Sequence, residues 1–344
     1  MKRILIVLLL VLAGLSCDKD KSDETACLVN EEIPPEKLDG IVETGNQLMH
    51  LLETEKFKEL YEAGSEEMQS RQSLDQFRYY LTRIEESFGE LSYPQLREVY
   101  HLTSSSDKKQ LWVPCNLGKE GMNDMHLVPA NRTLAVVVYR ARTEREAVRV
   151  IVRMEKQKDG WKFSAAELYP ITINHKLYSH YFKKAQEYRE KNHLHLAVLY
   201  YKTAIMLSEM GMGVQEFVSQ AIVKQIQQIK VDYLPSGKIE AWEVGEDVFK
   251  VYTVDTAYEK GHHLVQVRYV APSLEDEEKL KSQARKLAGF VNRKFPQYRK
   301  GFDGIRIMAS SEKNAEAMRA WHKTFLFSEL PEPENMPETG KESP

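Results

Sequence analysis

The sequence predicts an α+β protein built from several units, and three observations carry that prediction. Apolar residues recur at helical spacing from Leu38 to Phe88. They alternate at a period of two from Leu96 to Phe163, then return to helical spacing from Tyr181 to Ile229. A second mixed unit follows over residues 238–328. The 344 residues are 29% charged and 42% hydrophobic with a net charge of −3, and no long basic run occurs, so nucleic acid is not an expected partner.

From Glu36, the residues Leu38, Ile41, Val42, Leu48, Met49 and Leu52 share one helical face. Phe57, Leu60 and Tyr61 mark a shorter helical piece. Ser73-Leu74-Asp75-Gln76 has the form of a capping box, ahead of a stripe of Leu74, Phe77, Leu81, Ile84 and Phe88 that Gly89 stops. Strands are then expected over Leu96–Leu102, Leu111–Cys115, Leu134–Arg140 and Val148–Met154. The last turns at Lys158-Asp159-Gly160 into a strand opening with Trp161 and Phe163. Three helical segments followed by a curled antiparallel sheet over residues 36–173 resemble the NTF2-like, cystatin-like cone domain. The resemblance implies a sheet around a cavity, with Trp112 and Trp161 lining the sheet.

Ala185, Tyr188, Ala197, Tyr201 and Ala204 alternate small and aromatic residues, with Asn192 at the turn. This spacing resembles a single tetratricopeptide repeat over 181–210, and it departs from that pattern at Glu209. It implies an antiparallel helical hairpin that, without neighbouring repeats, must pack on another unit such as the amphipathic helix from Val214 to Ile229. Residues 174–232 form this hairpin unit. Gly211-Met212-Gly213 reads as an inter-helix break. In the last unit, a small α/β sandwich, Val248–Val254 and Leu264–Val270 read as strands joined across Glu259-Lys260-Gly261. Ser273 is the expected cap of a helix ending at Pro296, Ile305 and Ile307 mark a strand, and a last helix is expected from Ser311 through Ala315, Met318, Trp321 and Phe325. Residues 18–35, acidic and ending in Pro34-Pro35, read as a disordered tether, and the proline- and glutamate-rich 329–344 as a disordered tail.

The N-terminus carries the address. Lys2 and Arg3 precede an apolar run from Ile4 to Leu15, too short for a membrane span, and Leu15-Ser16-Cys17 is followed by an abruptly polar stretch. Residues 1–17 resemble a bacterial lipoprotein signal, departing from it at Gly14. The resemblance implies an acylated (palmitate-bearing) Cys17 anchoring the chain to a membrane of the cell envelope, facing the periplasm where a second membrane exists. Cys27 and Cys115 remain, either bridged or as free thiols.

Motifs for other chemistry are missing. No C-x-x-C, H-E-x-x-H, glycine-rich phosphate loop or G-x-S-x-G elbow occurs, so no metal or cofactor is expected. His193 with His195, and His262 with His263, have spacings that point the members of each pair apart, and they read as solvated surface. Tyr178, Tyr181, Tyr188, Tyr200 and Tyr201 crowd the hairpin, as packing residues or as an amphipathic surface for a partner. Tyr100, His101 and His126 are the candidates should side chains converge in the cone. The expected function is that of a non-enzymatic, membrane-anchored envelope lipoprotein binding a protein or peptide. The alternative is a small-ligand carrier or enzyme using the cone cavity.

Overall fold

The computed structural model describes residues 23–116, 123–208, 214–215, 217–311 and 320–333. Cys17 and its signal, the Gly211-Met212-Gly213 break, and Ala315 and Met318 lie outside the described residues. The protein is mixed α+β with open sheets.

The first departure from expectation comes at the N-terminus. Asp23 accepts a hydrogen bond from Ser106 and bonds Lys108. Glu24–Val29 then forms strand β1, paired antiparallel along Ser92–Ser105, strand β2. The acidic segment is thus ordered by backbone pairing on a sheet edge, where acidic neighbours are tolerated in solvent. Pro35 opens helix α1, Pro35–Glu53, because a proline's missing N–H costs nothing in a first turn. Helices α2 (Phe57–Glu62), α3 (Glu66–Arg71) and α4 (Leu74–Phe88) follow, one more than expected. The capping box at Ser73 and Gln76 forms, and Gly89 ends α4 at φ +91°.

The first sheet has the order β1-β2-β5-β6-β7, from β5 (Thr133–Arg142), β6 (Ala147–Gln157) and β7 (Gly160–Pro170). Its two faces are both covered. Val99, Val137, Tyr139, Val150, Val152 and Phe163 pack under α1 and α4. Gly45 lets α1 approach closely, since a Cβ there would sit 3.0 Å from the Tyr139 hydroxyl and 3.1 Å from a Val137 methyl. The opposite face, with Tyr100, Leu102, Val136, Val138 and Ile151, lies against strands β3 (Gln110–Asn116) and β4 (Asn123–Pro129). β4 was not expected from the sequence. A two-residue strand β8, Val214–Gln215, pairs with Met125 and His126, making a second sheet β3-β4-β8.

Helices α5 (Tyr178–Glu190) and α6 (Leu194–Ser208) form the expected hairpin, with Asn192 at φ 59° in the turn. Helix α7, Phe217–Gln227, packs beside α6. The last unit is a sheet of order β13-β12-β11-β10-β9, from β9 (Ser236–Val244), β10 (Asp247–Glu259), β11 (His262–Ala271), β12 (Gly304–Ser311) and β13 (Trp321–Leu326). Helix α8, Glu277–Lys294, joins β11 to the parallel β12. Asp276, three residues after Ser273, caps α8 by accepting from the Lys279 N–H at 3.0 Å; Ser273 instead accepts from Glu275 in the turn before it. Two further expectations are overturned. Trp321 and Phe325 lie on a strand rather than a last helix; a spacing of four satisfies both periods, and β-sheet pairing with β12 decides. Residues 329–333 are not free tail, because Arg299 bonds the Leu330 and Pro331 carbonyls and the Glu332 carboxylate.

Ala185, Ala197 and Ala204 are fully buried in the hairpin. Ala197→Leu would insert three extra carbons where no space exists, and should cost about 1–3 kcal/mol. A urea midpoint unchanged from wild type would show that the helices can part to admit the larger side chain.

Candidate functional site

The residues singled out from the sequence fall into three places. His101 and His126 do not converge. His101 packs edge-on against Trp161 at 6.1 Å, on the helix-covered side of the first sheet, where burial and then Lys37 lower its pKa. Tyr100, its chain neighbour, points to the other side and packs at a tilt against His126 with ring centroids 4.6 Å apart. Trp161 packs against the core and Trp112 is exposed on β3, so only the former lines the covered sheet.

The Tyr100 side is the candidate site. Strand register brings Glu98 and Tyr100 of β2, Arg153 of β6, and Glu167 and Tyr169 of β7 onto one face. Arg153 Nε donates to Glu167 Oε1 at 2.8 Å, and the Tyr169 hydroxyl to Glu167 Oε2 at 2.8 Å. The Tyr100 hydroxyl donates to Glu98 at 2.8 Å. β4 lays His126 over this belt with 0% exposure and, among the described residues, no hydrogen-bond partner for either ring nitrogen. Burial, reinforced by the positive Arg153, holds His126 down to about 3, so it is neutral at physiological pH. Cys115 of β3 is disulfide-bonded to Cys27 of β1, which ties the covering hairpin to the edge of the sheet it covers. The belt can position polar groups, but its donors and acceptors are largely bonded to one another.

Three of the five hairpin tyrosines are buried within the chain, Tyr188 is half-buried and Tyr178 is exposed. Tyr181, Tyr200 and Tyr201 are 4%, 8% and 0% exposed, so they do not form the partner surface that the sequence suggested. Tyr181 donates to the Ile173 carbonyl at 2.8 Å and packs on His263, Tyr200 packs on Phe302, and Tyr188 fills the space beside Tyr200. The histidine pairs split as their spacing requires, but not into solvent. His193 is exposed, whereas His195 packs on Phe295 and bonds Tyr298 at 3.1 Å. His263 is buried with Nε2 2.9 Å from the Thr203 hydroxyl, while His262 stays half-buried. Burial takes His195 to about 4 and His263 to about 3.

A small cleft of about 30 Å³ opens between α1, α4, the segment joining α4 to β2, and β7, lined by Leu52, Leu81, Leu168, Glu55, Glu85 and Glu90. Burial and then Glu55 raise the Glu85 pKa. Its volume suits a few waters, far below the roughly 300 Å³ of a typical ligand pocket. No cluster of three or more metal-ligating side chains occurs among the described residues. No family model matches the chain, and neither a curated protein nor a solved structure matches it at a significant level.

His126 gives a pH prediction. Its folded pKa, about 3, lies below the ordinary 6.5, so the unfolded chain binds the proton first and stability falls as pH drops through that interval. The slope is about 1.4 kcal/mol per pH unit for each such histidine. His126→Leu should remove one slope while leaving stability at neutral pH unchanged or higher, because no hydrogen bond is lost. Urea unfolding between about pH 6 and pH 4 checks this; parallel wild-type and variant curves would refute the assignment.

Proposed function

We propose that the protein is an envelope lipoprotein held to a membrane through acylated Cys17, and that it acts as a scaffold or binding module for a protein or peptide rather than as an enzyme. The observation that carries the reading is the Cys27–Cys115 disulfide ten residues beyond Cys17. Disulfides persist outside the reducing cytosol, which fits export. Asp23 is fixed to the folded body by Ser106 and Lys108, so only six residue steps separate Cys17 from it. At full extension they reach roughly 20 Å, which would keep the first sheet close to the membrane surface. Two observations favour binding over catalysis. The candidate histidines lie on opposite sides of one sheet, and the cleft is too small for an organic substrate. Tyr181, Tyr200 and Tyr201 serve the interior, so a partner would use another surface.

The finer reading of the first unit is an NTF2-like cone. It is supported by α1 and α4 on one face of an antiparallel sheet whose register shifts after Ser92, Leu96 and Arg153. Such bulges bend strands. The β3–β4 hairpin on the other face is an addition to that plan.

Cys17→Ala should move the protein from the membrane to the soluble envelope fraction and abolish acyl labelling. Crosslinking in native envelopes should then recover a partner with wild type and lose it with the variant. Unchanged fractionation, with no acyl label on wild type, would overturn the anchor. Maleimide labelling of denatured, unreduced protein gives an independent check. Cys27 and Cys115 should be protected in exported protein and labelled when residues 1–17 are deleted.

A further inference from the structure

The C-terminal sheet gathers three arginines that the proposed function does not use. Gln266 of β11, Arg306 of β12 and Thr324 of β13 are neighbours in register, and Arg268, Met308 and His322 form the next row on the same face. Helix α4 of the first unit brings Arg83 to this face. Its end is fixed there by the Phe88–Tyr258 ring stack at 5.7 Å and by Lys260 N–H donating to the Ser87 carbonyl at 3.2 Å.

The hydrogen bonds in this cluster leave cationic donors over. Glu259 accepts from the Thr324 hydroxyl at 2.6 Å and faces His322 Nε2 at 3.3 Å. Those contacts, the His322 bond first, hold Glu259 ionised, down to about 2. Arg83 Nη2 also lies 3.3 Å from His322 Nε2. One ring nitrogen cannot donate to Glu259 and accept from Arg83 together, so Arg83 Nη2 is left without that bond, while its Nη1 pairs with Glu86 Oε2 at 3.2 Å. Gln266, with its amide oxygen turned to Arg268, accepts from Nε at 2.9 Å and Nη2 at 3.0 Å, which occupies two of the five N–H groups of that side chain. Arg306 has no such acceptor: its Nε is buried without a hydrogen-bond partner among the described residues. Arg268 and Arg83 lie within electrostatic reach of it; Glu259 opposes its charge, while Glu86 pairs with Arg83. Asp255, opposite Gln266 in register, is within reach of Lys202.

We propose that this cluster, between α4 and the C-terminal sheet, is a binding site for a small oxyanion, held by Arg306 with Arg83 and Arg268 around it. A guanidinium fork matches the paired oxygens of a phosphate or a carboxylate, and it gains most where water is partly excluded. Arg306 is half-buried and Arg83 and Arg268 are partly exposed, so the ligand has a route in. Domain junctions are also where such sites concentrate.

The test is calorimetric titration of the intact protein with inorganic phosphate, and in a second arm with acetate, at constant ionic strength. Wild type should bind at least one of the two saturably, and the arm that binds fixes whether the oxyanion is tetrahedral or planar. Arg306→Gln should weaken that binding about tenfold or more, and Arg306→Lys less. Glu259→Gln removes the opposing charge and keeps an acceptor for Thr324, so it should tighten binding. Absence of saturable binding in both arms, or equal affinity in wild type and a folded Arg306→Gln variant, overturns the site. Should Arg306→Gln fail to fold, Glu259→Gln decides: tighter binding supports the site and unchanged affinity overturns it.

Discussion

The burial of α6 on every side is the constraint on which the rest of the structure depends. Ten of its 15 residues are buried and none is exposed. It touches α5, α7, the last strand of the first sheet and β10 of the last one. Such a helix has no amphipathic pattern to orient it, so its neighbours must come from several units at once. Polar pins set its register: Thr203 against His263, and the Lys202 ammonium on the Val254 carbonyl. Here lies the physical answer to how one helical hairpin stands without stacked repeats. The surface that a second repeat would cover is covered by the C-terminal sheet, and Tyr181, Tyr200, His263 and Phe302 fill the joint. The units share one continuous apolar core, so relative motion between them would open it.

The first sheet obeys a related rule. Its alternate residues are apolar on both faces, which demands a cover on each side. Helices α1 and α4 supply one. The other is a two-stranded hairpin, which alone is marginal in water. Cys115 to Cys27, a loop of 88 residues, ties that hairpin to the sheet edge, and β8 adds a third strand. The disulfide therefore acts where cooperative packing is thinnest.

Long periodic elements were legible in the sequence. α1, α4 with its capping box, the β6–β7 hairpin and the α5–α6 hairpin each repeat one period often enough to exclude the other. Short or edge strands were not. β1 sits among acidic residues, β9 alternates Ile239 outward with Trp242 inward only once its neighbour is known, and Trp321 and Phe325 fit either period. The small-residue spacing at Ala185, Ala197 and Ala204 correctly marked a close approach. The tyrosines beside it said only that large area would be covered, and not whether by a partner or by the chain itself. His126 could be named from the sequence, but its orphaned nitrogens depend on β4, which had no signal. Arg83, Arg268 and Arg306 come from α4, β11 and β12, and only strand register and the docking of α4 bring them together.

Of the five side chains with a buried polar atom lacking a partner among the described residues, the two that can carry a positive charge, His126 and Arg306, differ in a way that fixes their meaning. A buried histidine lowers its own cost by releasing its proton, and His126 at about 3 has done so. What remains is a flat ring against Tyr100, acceptable as packing, with two nitrogens that find no partner among the described residues, at modest cost. An arginine has no such exit, because its guanidinium stays protonated. Burial and two neighbouring arginines lower the Arg306 pKa, and Glu259 opposes them only through space, its own hydrogen bonds going to Thr324 and His322. A half-buried cation whose Nε finds no partner among the described residues is costly for a fold to retain. The charge is therefore best understood through something that arrives from outside the chain carrying the opposite sign.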